Sequence, residues 1–153
     1  MSSTEYITLW IGGQLFGAPV ARIHDVFAPT SITPVPLGPK EVAGLLNLRG
    51  RIVTAIDSRS RLGLPPREDD TAIMAIGIEK GSESFGLIID EVGEVMALED
   101  GDREDVPSNL DPVWAQIALG VYRLEDRLLV LLDIDKILSF DNDAETDRAP
   151  KAA

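Results

Sequence analysis

Short runs in which apolar and polar residues alternate, broken repeatedly by glycine or proline, make up most of this chain. In EYITLWIGGQLFGAPV the alternation lies on both sides of Gly12-Gly13, which predicts a β-hairpin closed by a glycine turn. ARIHDVFAPTSITPVPLGPKEVAG follows, with Pro29, Pro34, Pro36 and Pro39. A proline has no N–H to give a central strand, so this segment is expected to be a loop with one helical turn at PKEVAG. LLNLRG and RIVTAIDS predict a second hairpin hinged on Gly50, left through a short helical or irregular exit, SRSRLGLPP. DDTAIMAIGIEKGSESFGLIIDEVGEVMALED again gives two β-rich runs about a glycine-containing turn. The polar EDGDREDVPSNLDPVW is expected to be an exposed loop. DIDKILSF has the pattern of a short amphipathic helix covering the edge of the β structure, and residues 141–153 form an acidic tail expected to be disordered. Helix content should be low.

Two stretches match others further on without a gap. FGAPVARIHDV, from Phe16, aligns with FGLIIDEVGEV, from Phe85, 69 residues later; GLLNLRGRIVTAID, from Gly44, aligns with GVYRLEDRLLVLLD, from Gly120, 76 residues later. The second pair shares Gly, Leu, Arg and Asp at equivalent positions. The chain therefore reads as an internal duplication with halves at about 1–69 and 70–140. Each half is too small to bury a good core alone, so the two are expected to pack on, or intertwine with, each other.

Composition narrows what such a β protein can do. With 5% aromatic residues, Val, Ile and Leu must fill the core. The absence of cysteine removes disulfides, thiolate nucleophiles and Cys-ligated zinc or iron–sulfur centres, and a single histidine gives zinc catalysis no ligand set. Neither a signal peptide nor an apolar run long enough to span a bilayer is visible, which leaves a cytoplasmic location as the expectation. The net charge of −12 argues against a duplex nucleic-acid partner. That charge is unevenly placed: residues 1–69 carry seven Lys/Arg against six Asp/Glu, and residues 70–153 seven against twenty. Such asymmetry can orient protein partners, or simply serve solubility.

The candidate chemistry is thin. His24 in ARIHDVF is the sole conventional base near neutral pH, but no Gly-x-Ser-x-Gly elbow accompanies it, so a surface role is expected. EDGDRED offers carboxylates without the EF-hand order, and GGQLFG lacks the Lys-Ser/Thr of a phosphate-binding loop. Asp57 and Asp133 end the two repeated strands, where equivalent residues in a duplicated fold serve as strand ends or caps; a small hydrolase using either carboxylate is the competing reading. What remains is recognition. Gly50 permits a tight turn that would push Arg49 outward on a rigid hairpin tip, where its guanidinium can fork onto carboxylates or carbonyls. Arg59 and Arg61 follow, so an OB-like barrel holding single-stranded nucleic acid along the Arg49–Arg61 strip is a further alternative, although no aromatic residue lies near these arginines in sequence. Ile32 and Val35, held between prolines, could dock a partner at little entropic cost or plug the mouth of the fold.

Taken together, GLLNLRGRIVTAIDSRSRLG, the preceding LFGAPVARIHDVF and TPVPLGPKEVAG, and the following FGLIIDEVGEV and GVYRLEDRLLVLLDIDKIL resemble the CheW-like domain of bacterial chemotaxis over roughly residues 5–140. The most specific element is Gly-x-x-x-Leu-Arg-Gly at Gly44 to Gly50. The resemblance implies a mainly β fold of two packed five-stranded β-barrels with short helices, no catalysis and no cofactor or metal. It implies a free-standing adaptor that couples the cytoplasmic tip of methyl-accepting chemoreceptors to the regulatory domain of a CheA-type histidine kinase, in arrays under the inner membrane, with no nucleic acid and no direct membrane insertion. By position it gives a receptor-binding groove of Ile23, Asp25, Gly44, Leu48, Arg49 and Gly50, a kinase-binding surface at Ile32 and Val35, and an array contact at Glu104, Asp105, Asn109 and Leu110. The family's Val-Pro in the strand after the turn is Thr54-Ala55 here, and its Asp-Leu is Asp57-Ser58. In the internal alignment Arg51 is matched by Arg127, but Arg49 by Glu125 and Gly50 by Asp126, so the handle for a partner is expected to be Arg49 alone.

Overall fold

A computed structural model describes residues 2–36, 38–67 and 72–139; the tail expected at residues 141–153 lies outside them. β1 (Ser3–Ile11) and β2 (Gln14–Pro19) form the first hairpin, and β3 (Asp25–Phe27) follows. β4 (Val42–Leu48) and β5 (Arg51–Asp57) form the second hairpin, which runs into α1 (Ser58–Leu62). Then come β6 (Met74–Lys80), β7 (Glu83–Ile89) and β8 (Glu91–Glu99), α2 (Pro112–Ile117), β9 (Ala118–Arg123), β10 (Leu128–Leu132) and α3 (Ile134–Ile137). The β-rich run from residue 74 thus holds three strands where two were expected.

The strands make two five-stranded sheets, ordered β8-β1-β2-β10-β9 and β3-β6-β7-β5-β4. The fold is mainly β with few short helices, as expected, but the expected barrels are not seen. Closure needs the outermost strands of a sheet to share a ladder. Among the described residues the edge strands β8 and β9 share no ladder, and neither do the edge strands β3 and β4. Both sheets are therefore open, and each takes strands from either side of residues 68–71.

The sheets are built alike to the residue. Tyr6 lies opposite Pro19 and Met96 in one; Ala75 lies opposite Ile88 and Phe27 in the other, with each residue shifted by 69. Parallel pairing sets Val130 beside Phe16 and Thr54 beside Phe85. The isolated bridges Thr33–Leu45 and Glu104–Val121 sit at matching places. One apolar cluster, including Leu9, Phe16, Ile56, Ile76, Leu87 and Leu132, draws on both sheets, while smaller clusters cover each sheet separately around Tyr122 and around Leu46.

Two features were hidden in polar sequence. Asp111 accepts a hydrogen bond from the Val113 N–H at 2.8 Å and Pro112 occupies the first helical turn, so a cap and a proline start α2 inside what reads as a loop. From that helix Trp114 donates its indole N–H to the Leu62 carbonyl at 2.9 Å and meets Phe16 edge-on. The second feature is an ion-pair network. Arg67 joins Asp57 at 2.7 Å to Asp90 at 2.6 Å, Arg59 forks onto Asp90 at 3.2 and 2.7 Å, and the Gly12 N–H donates to Asp90 at 2.7 Å. Burial on its own would raise the Asp90 pKa, but the hydrogen bonds from Arg59, Gly12 and Arg67 outweigh it and hold the carboxyl below its ordinary range.

Candidate functional site at the Arg49 hairpin

The β4–β5 connection has two residues, with Leu48 paired to Arg51. Both turn residues have positive φ, 54° at Arg49 and 82° at Gly50, as in the type I′ turn whose twist matches its strands. Glycine adopts this conformation freely, whereas arginine does so at a cost. The Asn47 side chain steadies the turn by accepting from the Gly50 N–H at 3.0 Å. The Arg49 side chain stands 69% exposed and its guanidinium pairs with Asp25 of β3, the opposite edge strand of the same sheet.

Beside this pair lies a small cavity of about 120 Å³, with Phe27, Leu48, Val53 and Phe85 among its apolar walls. Its polar rim is largely self-satisfied. Arg51 donates to Ser84 Oγ at 2.7 Å and lies 3.6 Å from Glu79, which is also 3.6 Å from His24 Nδ1. An apolar hollow with one projecting guanidinium at its edge can grip a side chain of a partner and fix its register.

Of the expected receptor-groove residues, Asp25, Leu48 and Arg49 line this cavity and Gly50 completes the turn. Ile23 is packed against the main core, and Gly44 is buried where a Cβ would lie 2.2 Å from the Thr33 carbonyl oxygen. Phe27, Val53 and Phe85 were missed. The Asp-Val-Phe alternation of β3 puts Phe27 on the same face as Asp25, but only the ladder between β5 and β7 brings Phe85 in from a distance. Aromatic residues thus do lie near Arg49 in space, contrary to the sequence reading, yet Phe85 is 7% exposed and offers a base no free face. Nor is there a cationic strip: Arg59 is held by Asp90, and Arg61 donates to the carbonyls of Ile137 and Lys136.

The other expected positions divide. Val35 is 39% exposed beside Leu45 and Ile52, whereas Ile32 packs on the small cluster around Leu46 and Val53. Glu104 is hydrogen-bonded to Arg123, Asp105 and Asn109 are exposed, and Leu110 packs on the main core. Asp57 accepts from the Arg59 N–H and Asp133 from the Lys136 N–H, so both carboxylates cap short helices. No cluster of carboxylates or imidazole suited to a metal occurs among the described residues, and no helix there is long and apolar enough to cross a membrane.

The CheW-like domain family matches residues 5–141. The chain belongs to the CheW-like family. CheW-like relatives include the chemotaxis protein CheW of Rhizobium meliloti (strain 1021), 28% identical over 133 residues, spanning 87% of this chain and 86% of that protein. The chemotaxis protein CheW of Thermotoga maritima is likewise 28% identical, over 134 residues covering 88% and 87%. The crystal structure of the scaffolding protein TtCheW from Thermoanaerobacter tengcongensis superimposes with a TM-score of 0.76 at 25% identity, over 86% of this chain and 89% of that one. The CheW-like family is one of non-catalytic scaffolds.

Proposed function

We propose that this chain is a chemotaxis adaptor that couples the cytoplasmic tip of chemoreceptors to the regulatory domain of a CheA-type kinase, in the cytoplasm at receptor arrays. Membership of the CheW-like family supports the adaptor role. The observation that carries the receptor assignment is Arg49, kept in a costly left-handed conformation so that its guanidinium projects beside the Phe27–Leu48–Phe85 hollow. A receptor tip is a pair of amphipathic helices; one apolar side chain in the hollow supplies affinity, and Arg49 with Asp25 reads the polar residue beside it. Gly44 and Ile23 act by shaping this region from beneath.

The kinase regulatory domain would meet the apolar patch of Val35, Leu45 and Ile52, whose side chains are 39%, 37% and 63% exposed. Ile32 supports that patch from its inner side. Glu104, Asp105 and Asn109 would make the array contact. Calorimetric titration of a receptor cytoplasmic fragment tests the central assignment. Arg49→Glu is expected to weaken binding by at least about tenfold, since a like charge meets Asp25 and the partner loses its cation. The melting temperature should stay within a few degrees. Unchanged affinity for the receptor fragment would remove Arg49 from the interface.

A further inference from the structure

The second hairpin tip, between β9 and β10, carries a groove with an acidic rim, whereas the charges around the Arg49 hollow, Arg49 and Arg51 against Asp25 and Glu79, balance. Its wall and rim repeat those of the Arg49 hollow: Glu94 and Met96 stand 69 residues beyond Asp25 and Phe27, and Leu124, Glu125 and Arg127 stand 76 beyond Leu48, Arg49 and Arg51. The same strand registers place them there. The chemistry is exchanged at several of these positions. Arg49 and Gly50 become Glu125 and Asp126, Glu79 becomes Trp10, and Ser84 becomes Leu15. The second groove is accordingly acidic at its rim and more apolar at its floor. It is also larger, about 720 Å³ against 120 Å³, with a wall formed by the nine-residue β8 where the first has the three-residue β3.

We infer that this groove docks a cationic amphipathic segment of a protein partner, with apolar side chains on Trp10, Met96 and Leu124 and its Lys or Arg residues on Glu94 and Glu125. The carboxylates of Glu94 and Glu125 have no ion-pair partner among the described residues, whereas Asp126 is held by Arg127 at 3.1 Å. The Trp10 face already accepts a cation, since the Arg127 guanidinium lies 5.1 Å above its ring. A second copy of this chain fits less well, because each copy carries a net charge of −12 and the two repel.

The probe is a helical peptide of about 18 residues with Leu on one face and Arg on the other, titrated into the full isotope-labelled chain and followed by NMR. The Trp10 indole and the amides of residues 124–127 are expected to shift. Glu125→Arg, at an exposed turn, should weaken binding about tenfold with the melting temperature kept, and Arg49→Glu should leave it unchanged, which separates this groove from the receptor assignment. A peptide with the Arg residues replaced by Glu should not bind. Shifts confined to the Arg49 hollow, equal binding by a scrambled peptide of the same charge, or indifference to Glu125→Arg would each overturn the inference. So would self-association of the free chain that Glu125→Arg abolishes, since it would assign the groove to a second copy.

Discussion

Three glycines and one arginine separate shape from recognition at the level of single residues. Gly44 and Gly50 sit six residues apart in the same hairpin, yet their surroundings differ. At Gly44, with φ of 153°, a methyl group would run into the Thr33 carbonyl, and its counterpart Gly120, at 158°, faces the Glu104 carbonyl in the same way. At Gly50 a methyl group would meet nothing within 4 Å, so substitution there costs backbone strain and no overlap. Gly44→Ala is therefore expected to destabilise the fold by about 3 kcal/mol, lowering Tm by roughly 10 °C, while Gly50→Ala costs about 1 kcal/mol. Thermal melts of the two variants decide the matter, and equal melting points would mean that the strand-to-loop packing at Thr33 yields. Arg49 gives the converse case. Asn tolerates positive φ better than Arg, so Arg49→Asn should hold or slightly raise Tm while reducing receptor affinity, the pattern expected where strain is kept for binding.

Connections between elements are carried by charge as much as by apolar packing. Arg67 is 9% exposed and links the end of β5 to the junction of β7 and β8, and Arg59 from α1 reaches the same Asp90. Asp90 has a folded pKa below its unfolded one, so the network contributes stability above the ordinary aspartate range and loses it as the pH falls through the folded value. Denaturant titrations should show wild-type stability falling from about pH 4 downward, and Asp90→Asn should be less stable near pH 7 and flatter across that acid window. A variant with the same acid slope as wild type would place the titration elsewhere. The hairpins, the caps at Asp57 and Asp133 and the outward Arg49 were legible because each depends on neighbours in sequence: glycine turns, alternation, a carboxylate just before a helix. Arg67, Asp90, Phe85 and α2 were not. Arg67 follows two prolines in an apparent linker, Asp90 and Phe85 reach their partners through pairing of distant strands, and the six residues of α2 sit in an acidic segment whose composition outweighs one apolar face.

For the molecule as a whole, topology governs how the chain can be divided. Sheet β8-β1-β2-β10-β9 takes two strands from before residue 68 and three from after it; sheet β3-β6-β7-β5-β4 takes three and two. The two portions meet at two seams within each sheet, the antiparallel β1–β8 and parallel β2–β10 ladders in one and the antiparallel β3–β6 and parallel β5–β7 ladders in the other. A cut near residue 70 would therefore open both sheets at once and expose the faces of Leu9, Phe16, Ile76 and Leu87, all fully buried in the intact chain. A fragment of 1–69 would keep two hairpins, but hairpins of this size are marginal without a partner sheet. Neither that fragment nor one of 70–153 is expected to melt cooperatively. Mixed in equal amounts, they should recover β-sheet circular dichroism and a single transition, because every strand then regains its neighbour. Cooperative unfolding by either fragment alone would show that the two portions fold as separate bodies, and the repeated registers would then describe two domains rather than one exchanged pair of sheets. The same experiment bears on the two grooves: each is walled by strands from both portions, with His24 and Leu48 facing Gly77 in one, and Trp10 and Leu15 facing Leu124 in the other. Partner binding at either hairpin tip should reappear only in the mixture, in step with the recovered transition.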